Sequence, residues 1–254
     1  MEKKFLLVGA LLLAGGFSTM NADVIYVTES GSGDGTSWSS AASLEDALSW
    51  AAAGDEVFVA KGTYTGSFKL RAAAKVYGNC VGTETEPPTY TTAEGLETFL
   101  KGPGGKRVLY LDGKASEIYG LDISGGDAST ETTGVGRGGG VYINDGGATL
   151  KYCIIENNIA TTAPWEDTSK TWSTGIGGGI CLDATEGNGC NPDNAIVLNC
   201  IIRNNSTTPT DDGDSFQSQG GGIAIKSGKL INSLVVGNSV NGSLNNQSVG
   251  GGVC

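Results

Sequence analysis

The chain has 254 residues, of which 42 are glycine and none is histidine, and its formal net charge at pH 7 is −11. That length is enough for one sizeable core or one elongated repeat protein. The negative charge argues against nucleic-acid and anionic-membrane partners, which bind basic surfaces. Without histidine, any catalysis would have to use carboxylates, lysine, arginine, tyrosine or cysteine.

The first 22 residues have the pattern of a secretory signal peptide. Lys3 and Lys4 precede an apolar run from Phe5 to Phe17, and a short polar stretch ends at Ala22. A charged start, an apolar run too short to span a bilayer and a small residue at the cleavage point are typical of export signals. We therefore expect an exported chain, located outside a bacterium or on its outer-membrane surface, with no transmembrane span in the mature fragment.

Residues 23–54 are predicted to form an N-terminal cap. The run Val24–Val27 predicts a strand. Residues 43–53 predict an amphipathic helix with Ser43 as its N-cap and Gly54 after its end. A helix over the open end of a repeat protein shields strand edges that would otherwise pair with other chains.

Residues 55–254 are predicted to form the body of the fold. At its start, residues 55–64 predict a single strand that leads into a turn. We expect Trp38 and Trp50, which precede this segment, to lie in the core of the cap.

Two linked motifs recur along the body. The first is three glycines followed by an aliphatic residue, found at residues 138–141, 177–180, 220–223 and 250–253. The second is a short apolar, mostly β-branched run that ends in asparagine, found at residues 153–158, 200–205 and 233–238, with a weaker copy at 121–126. The two motifs alternate in a fixed order, which indicates a true repeat.

The motifs indicate the fold class. Each half of the repeat is short, rich in β-branched residues and bounded by Gly or Asn, which is typical of a strand of about 3–5 residues. One such coil cannot bury its own apolar side, but stacked coils can. The sequence therefore predicts an all-β chain, a right-handed parallel β-helix (solenoid) with a short N-terminal capping strand and helix. Because the last glycine motif opens a coil and the sequence then stops, we expect C-terminal coils to be missing.

Stacking brings equivalent residues of successive coils about 4.8 Å apart, so like side chains form columns. Asn158, Asn205 and Asn238 are predicted to form a hydrogen-bonded structural ladder at a turn. Most of the variation in repeat length lies between this turn and the next glycine motif, and one further insert, at residues 184–194, lies elsewhere in its coil. We therefore expect loops to leave one corner of the coil, at residues 127–137, 159–176, 206–219 and 239–249.

The six cysteines follow an export signal, so disulfides are allowed, and sequence alone does not choose among the pairings. Cys153 and Cys200 take the same repeat position in adjacent coils, within disulfide reach. Stacked thiols inside the core fit this position equally well. Cys181 and Cys190 close a short loop and form a second candidate pair.

The N-terminal residues also carry a family resemblance. The segments that resemble the cap and first coil of bacterial pectin-lyase-like parallel β-helix surface proteins are residues 33–38, 44–48 and 54–64. Residues 76–85 resemble the Tyr-Gly-Gly-Phe-x-Gly-Thr-Glu segment of that group and depart from it at Asn79 and Cys80. The repeats are similar to those of chlamydial polymorphic outer-membrane proteins and secreted Bacteroidetes proteins. The resemblance implies fold and export but no single function, because adhesins and polysaccharide-degrading enzymes share this fold.

Two candidate binding sites fall in the predicted corner loops. Trp165 and Trp172 offer aromatic faces for sugar stacking or protein contact, although they would equally cover apolar surface of the coils. Asp211, Asp212 and Asp214 offer hard oxygen ligands, so Ca²⁺ is a candidate cofactor, although none is required. A solvated acidic loop is the alternative for these aspartates.

One pair of residues is a candidate for catalysis. Arg203 and Glu156 align one coil apart, and the resemblance implies that lyases of this fold use a basic residue near carboxylates. The alternative is an exposed ion pair that contributes about 0–1 kcal/mol.

The sequence as a whole favours a non-enzymatic, adhesin-like or carbohydrate- or protein-binding scaffold. The competing hypothesis is a polysaccharide lyase or glycoside hydrolase. We expect an extracellular polysaccharide or a host or cell-surface protein as partner, and no nucleic acid. An open strand edge at the C-terminal end predicts self-association of the chain.

Overall fold

The computed structural model describes residues 22–112, 115–131, 136–144, 147–161, 173–183, 195–208, 216–241 and 247–254. Its helical segments are a 3₁₀ turn at Trp38–Ser40 and the helix α1 at Leu44–Trp50. The strands of the first part of the chain are β1 (Val24–Val27), β2 (Glu56–Ala60), β3 (Gly62–Thr65), β4 (Phe68–Leu70), β5 (Lys75–Cys80), β6 (Thr98–Lys101), β7 (Leu109–Leu111), β8 (Glu117–Tyr119) and β9 (Asp122–Ser124).

The remaining described strands follow the repeats. They are β10 (Val141–Ile143), β11 (Thr149–Lys151), β12 (Ile154–Glu156), β13 (Ile159–Thr161), β14 (Ser173–Ile176), β15 (Ile180–Leu182), β16 (Ile196–Leu198), β17 (Ile201–Arg203), β18 (Ser206–Thr208), β19 (Phe216–Gln219), β20 (Ile223–Ile225), β21 (Lys229–Ile231), β22 (Leu234–Val236), β23 (Ser239–Val240) and β24 (Gln247–Val249).

These strands stack into three long parallel sheets, which we call faces. Face 1 contains β1, β2, β5, β8, β11, β16 and β21; face 2 contains β3, β6, β9, β12, β17 and β22; face 3 contains β4, β7, β10, β15 and β20. Each coil runs through face 1, face 2 and face 3 in that order, and each strand pairs in parallel with its counterpart one coil away. The predicted fold class, a parallel β-helix, is confirmed.

The core lies inside the coils. The strands alternate between inward and outward side chains. The middle residue points inward on faces 1 and 2, and the two outer residues point inward on face 3. The inward residues of three successive coils include Ile118, Leu150 and Val197 on face 1, Ile123, Ile155 and Ile202 on face 2, and Val141, Ile143, Ile180 and Leu182 on face 3, all buried. Their burial is the main favourable term, because one coil alone would leave this apolar side in water.

Helix α1 covers the N-terminal end of this core. Its N-cap is Ser43, whose side chain accepts a hydrogen bond from the backbone N–H of Asp46 at 3.1 Å. Leu44, Ala47 and Leu48 share the buried side of the helix. The expectation that Trp50 is core was wrong, since 50% of this residue is exposed. Six positions after Leu44, it lies about 120° around the helix from Leu44, outside the buried side.

Trp38, the other tryptophan of the cap, is partly buried and lies 4.9 Å from the ring of Tyr26. Residues 55–64 are two strands and not one, because β2 and β3 lie on different faces and the chain turns at Lys61 between them. The described part of the chain contains no helix long and apolar enough to cross a bilayer.

Candidate functional site

The corner between face 2 and face 3 carries two short sheets of its own. One contains β13, β18 and β23, and the other contains β14, β19 and β24. Three of the predicted loops, at residues 159–176, 206–219 and 239–249, therefore begin and end as strands. The backbone at each end of these loops pairs with the backbone of a neighbouring coil. In the first pair of coils Thr161 pairs with Thr208, and Ser173 pairs with Phe216. We call this part of the molecule the loop corner.

The register of these strands fixes where the predicted binding segments begin and end. Trp165 and Trp172 lie between β13 and β14, and Asp211, Asp212 and Asp214 lie between β18 and β19. All five residues lie outside the described part of the chain. Since the flanking strands pair directly, the two segments leave the coil about one strand spacing apart and return about one strand spacing apart.

The base of the loop corner contains Asn158, Asn205 and Asn238 in one column. Asn158 Nδ2 donates to Asn205 Oδ1 at 3.0 Å, and Asn205 Nδ2 donates to Asn238 Oδ1 at 3.0 Å. Each amide also donates to a backbone carbonyl of the preceding coil; for Asn205 this is Ile155 O at 2.9 Å. Asn158 and Asn205 are fully buried. The amides thus satisfy buried backbone groups at a turn, which would otherwise be costly.

The glycine motif packs against the same column. A Cβ atom on Gly179 would lie 2.8 Å from Cγ of Asn205 and 2.6 Å from the carbonyl oxygen of Gly222. A Cβ atom on Gly178 would lie 2.2 Å from the carbonyl oxygen of Ser206. Only glycine fits here, so the glycine motif of one coil packs directly on the asparagine turn and the glycine motif of the next coil. This contact explains why the two sequence motifs recur together.

The cysteines at the repeated position are free thiols. Cys153 and Cys200 are both buried, and the backbone N–H of Cys153 lies 3.5 Å from Sγ of Cys200. Burial, followed by the neighbouring Cys200, raises the pKa of the Cys153 thiol. Of the two arrangements that the sequence left open, the structure has stacked thiols and not the disulfide. Cys181 is also a buried free thiol, and its candidate partner Cys190 lies outside the described residues.

The outer side of face 2 carries three charged residues: Glu156 and Arg203 are in register, and Asp122 is two residues out of register with them. Arg203 Nε donates to Glu156 Oε2 at 2.5 Å across adjacent strands. Asp122 lies in the preceding strand, is 6% exposed, and its Oδ1 has no hydrogen-bond partner among the described residues. Burial, and then the negative charge of Glu156, raise the pKa of Asp122 to about 6, while Arg203 and Lys101 oppose the shift. The alignment of Arg203 with Glu156 follows from the repeat, whereas Asp122 came from a copy too weak to single out.

A column of aromatic rings on the outer side of face 1 was not predicted. The rings of Tyr77 and Tyr119 stack at 4.9 Å, and Tyr90, from the segment that follows β5, stacks on Tyr119 at 5.9 Å and on Tyr152 at 6.0 Å. Lys151 Nζ donates to Glu117 Oε2 at 2.8 Å beside this column. Tyr119 has a ring on each side, so its faces are already occupied. The alternation in Glu117-Ile118-Tyr119 was the available sequence signal.

A second unpredicted cluster covers the outer side of face 3. Arg107 is 1% exposed, and its guanidinium carbon lies 4.7 Å from the centre of the Tyr142 ring. Its Nε lies 3.8 Å from Glu131 Oε1. Burial lowers the pKa of Arg107, and Glu131 opposes this shift. Nearby, Asp183 forms ion pairs with Arg137 and, at 3.0 Å, with Lys226. These cations are neutralised within the fold, so this cluster anchors the segments that cross face 3.

Among the described residues, no group of three or more cysteine, aspartate or glutamate side chains is placed to hold a metal ion. The candidate Ca²⁺ ligands Asp211, Asp212 and Asp214 are not among those residues.

The topology defines the class of protein, a parallel β-helix. No family model and no curated protein matches the chain. Among solved structures, it is similar to pectate lyase Pel9A, with 13% identity over 89% of this chain and 66% of that chain and a TM-score of 0.38. It is also similar to an alginate lyase from Paenibacillus sp. str. FPU-7, with 16% identity over 91% of this chain and 99% of that chain and a TM-score of 0.29. Neither similarity bears on the functional site.

Proposed function

We propose that this chain is an exported scaffold at a bacterial surface that binds an extracellular polysaccharide at the loop corner without catalysing a reaction on it. The observation that supports the proposal is the register of the corner strands. Because β13 pairs with β18 and β14 pairs with β19, the segment that contains Trp165 and Trp172 begins and ends beside another segment. That second segment contains Asp211, Asp212 and Asp214. Tryptophan faces stack on sugar rings, and aspartates coordinate Ca²⁺ or accept hydrogen bonds from hydroxyl groups.

The base of the corner suits a binding role. The asparagine column and the glycine contacts fix the ends of both segments on buried, hydrogen-bonded backbone. A rigid base reduces the conformational entropy that a loop loses when it binds. The two segments would therefore supply the affinity for the ligand, and the coils would hold the segments in a fixed orientation.

The first test is a binding screen of the chain against a panel of neutral and acidic polysaccharides. We expect Trp165→Ala or Trp172→Ala to weaken the best interaction by about tenfold, as for an aromatic residue at the centre of a binding surface. Trp50→Ala is the matched control, because Trp50 is exposed on the cap and should leave binding unchanged. Equal binding by all three variants and the parent chain would contradict the proposal. Binding to none of the polysaccharides would also contradict it and would favour a protein partner.

The same screen tests the role of Ca²⁺. If the aspartates hold the ion, Asp211→Asn, Asp212→Asn and Asp214→Asn together should abolish any increase in binding that Ca²⁺ causes. Binding that responds to Ca²⁺ equally in the triple variant would place the ion elsewhere.

The three charged residues on the outer side of face 2 favour a second candidate, a lyase for acidic polysaccharides. Such a reaction needs a cation for the sugar carboxylate and a group that moves a proton, and Arg203, Glu156 and Asp122 lie in adjacent strands of one face. We would measure the ultraviolet absorbance of unsaturated sugar products in the screening wells. Absorbance that rises with the parent chain and stays flat with Arg203→Gln would favour the lyase over the binding scaffold.

A further inference from the structure

A hollow of about 500 Å³ lies between helix α1 and strand β4, at the N-terminal end of face 3. On the helix side it is lined by Glu45, Leu48 and Ser49, which share one side of α1 at helical spacing. On the strand side it is lined by Lys69 and Arg71. This volume is in the range of sites that hold small ligands.

The local sequence accounts for the cationic wall. Leu70 is fully buried, so its neighbours Lys69 and Arg71 project to the outer side of the strand. Lys69 Nζ lies 3.3 Å from Asp112 Oδ2 and 4.2 Å from the centre of the Tyr110 ring, which hold it in place. Arg71 is exposed and forms no ion pair within the described part of the chain.

The rest of the lining is apolar or weakly polar. Leu48, Ala51 and Ala72 contribute hydrocarbon surface, and Ser49 contributes a hydroxyl group. Glu45 lines the helix side of the hollow. A ligand that fits has an apolar body for the alanines and Leu48 and an anionic group for the strand side. Glu45 would repel an anion, which fixes the ligand's orientation.

We propose that this hollow binds a small amphipathic carboxylate, with its carboxylate on Arg71 and Lys69 and its apolar body against Leu48, Ala51 and Ala72. Guanidinium groups bind carboxylates through two parallel hydrogen bonds, which gives this orientation specificity. In a chain with a net charge of −11, the strand-side wall is a local attraction for an anion. The hollow lies beside the cap helix and shares no residue with the loop corner. A test of this site is therefore independent of the test of the proposed function.

The test uses ligands that separate charge from apolar surface. Octanoate and N-acetyl-leucine carry both features, octan-1-ol carries only the apolar body, and acetate carries only the charge. We would titrate each into isotopically labelled chain and follow backbone amide chemical shifts. We expect octanoate or N-acetyl-leucine to bind at least about tenfold more tightly than octan-1-ol or acetate. The shifts should centre on Ser49, Ala51 and Ala72.

The variants test the cationic wall. Arg71→Gln should weaken binding of the carboxylate by about tenfold, and Lys69→Gln should weaken it by less, since Asp112 already shares its charge. Lys61→Gln is the control, because Lys61 is an exposed lysine that pairs with Glu97 outside the hollow. Thermal unfolding of each variant verifies that it is folded. Equal affinity for octan-1-ol, unchanged affinity in Arg71→Gln, or no binding of either carboxylate would overturn the proposal.

Discussion

The coils before residue 112 and the coils after residue 136 are held closed by different interactions. The later coils close through backbone: in the first three glycine motifs, the second and third glycines lie against a carbonyl and the asparagine of the next coil. The earlier coils lack this motif. They are covered by α1 at the open end and by aromatic side chains outside face 1, where Phe58 and Tyr77 pack edge to face at 5.7 Å.

The difference shows two ways to build one fold. Backbone closure needs the same small residues in every coil, so it leaves a repeat that is visible in the sequence. Side-chain closure needs only bulk at suitable positions, which different aromatic residues supply. The loop corner lies only in the region with backbone closure. A rigid, repeated turn is therefore associated with the segments that vary most in length.

The largest expected effect is loss of the central asparagine. Asn205→Ala should destabilise the chain by about 3–5 kcal/mol, because four side-chain hydrogen bonds are lost and buried backbone groups stay unsatisfied. Chemical denaturation measures the free energy of unfolding. Asn241→Ala is the control; this residue is exposed, and we expect a change under about 0.5 kcal/mol. Similar effects of both substitutions would mean that the asparagine column does not close the coils.

A second prediction concerns Asp122, in β9 between the two regions. Its pKa is about 6 in the folded chain and 3.8 as the reference for the unfolded chain. The folded chain therefore binds this proton more tightly than the unfolded chain does. The stability that protonation of Asp122 contributes is fully present below pH 3.8 and is lost as the pH rises to about 6. At pH 7, Asp122→Asn should stabilise the chain by about 2–3 kcal/mol, with little difference near pH 3.

Unfolding measured from pH 3 to pH 8 for the parent chain and Asp122→Asn tests this prediction. The difference between them isolates Asp122 from the other carboxylates. A constant difference over the whole range would show that the Asp122 carboxyl does not change its protonation in this window.

The smallest expected effect lies in the earlier region. Tyr90 donates its hydroxyl hydrogen to Gly78 O at 2.6 Å and stacks between Tyr119 and Tyr152. Tyr90→Phe should cost about 1 kcal/mol, because one hydrogen bond is lost and the ring remains. The control is Tyr26→Phe, since the Tyr26 hydroxyl has no hydrogen bond among the described residues. A loss as large as that of Asn205→Ala would remove the distinction between side-chain and backbone closure.

Much of the architecture was predictable because equivalent residues of each repeat occupy equivalent positions in successive coils. The spacing of the glycine and asparagine motifs sets which residues stack, and the register Ile155 to Ile202 to Val235 follows from it. The helix start at Ser43 follows from a local hydrogen bond to Asp46. The predicted single strand at residues 55–64 failed because a turn between two faces depends on the coil's cross-section, which local propensity does not encode.

Of the candidate sites, the sequence indicated the column of Asn158, Asn205 and Asn238 and the pairing of Glu156 with Arg203, because repeat position alone decides both. It did not indicate Asp122 as a buried carboxylate, nor Arg107 as a buried cation. Burial of these side chains depends on segments distant in the chain, such as Glu131 beside Arg107.

The amino-acid sequence by itself determined the parallel coils, their register and the corner at which long segments leave, because short-range spacing and the size of glycine fix these features. Only the tertiary structure decided which outward side chains meet. The Tyr90 ring lies on Tyr119, Asp122 lies near Glu156, and Arg71 faces the hollow beside α1. These contacts join residues by the way the coils and the cap pack, and no periodicity in the chain specifies that packing.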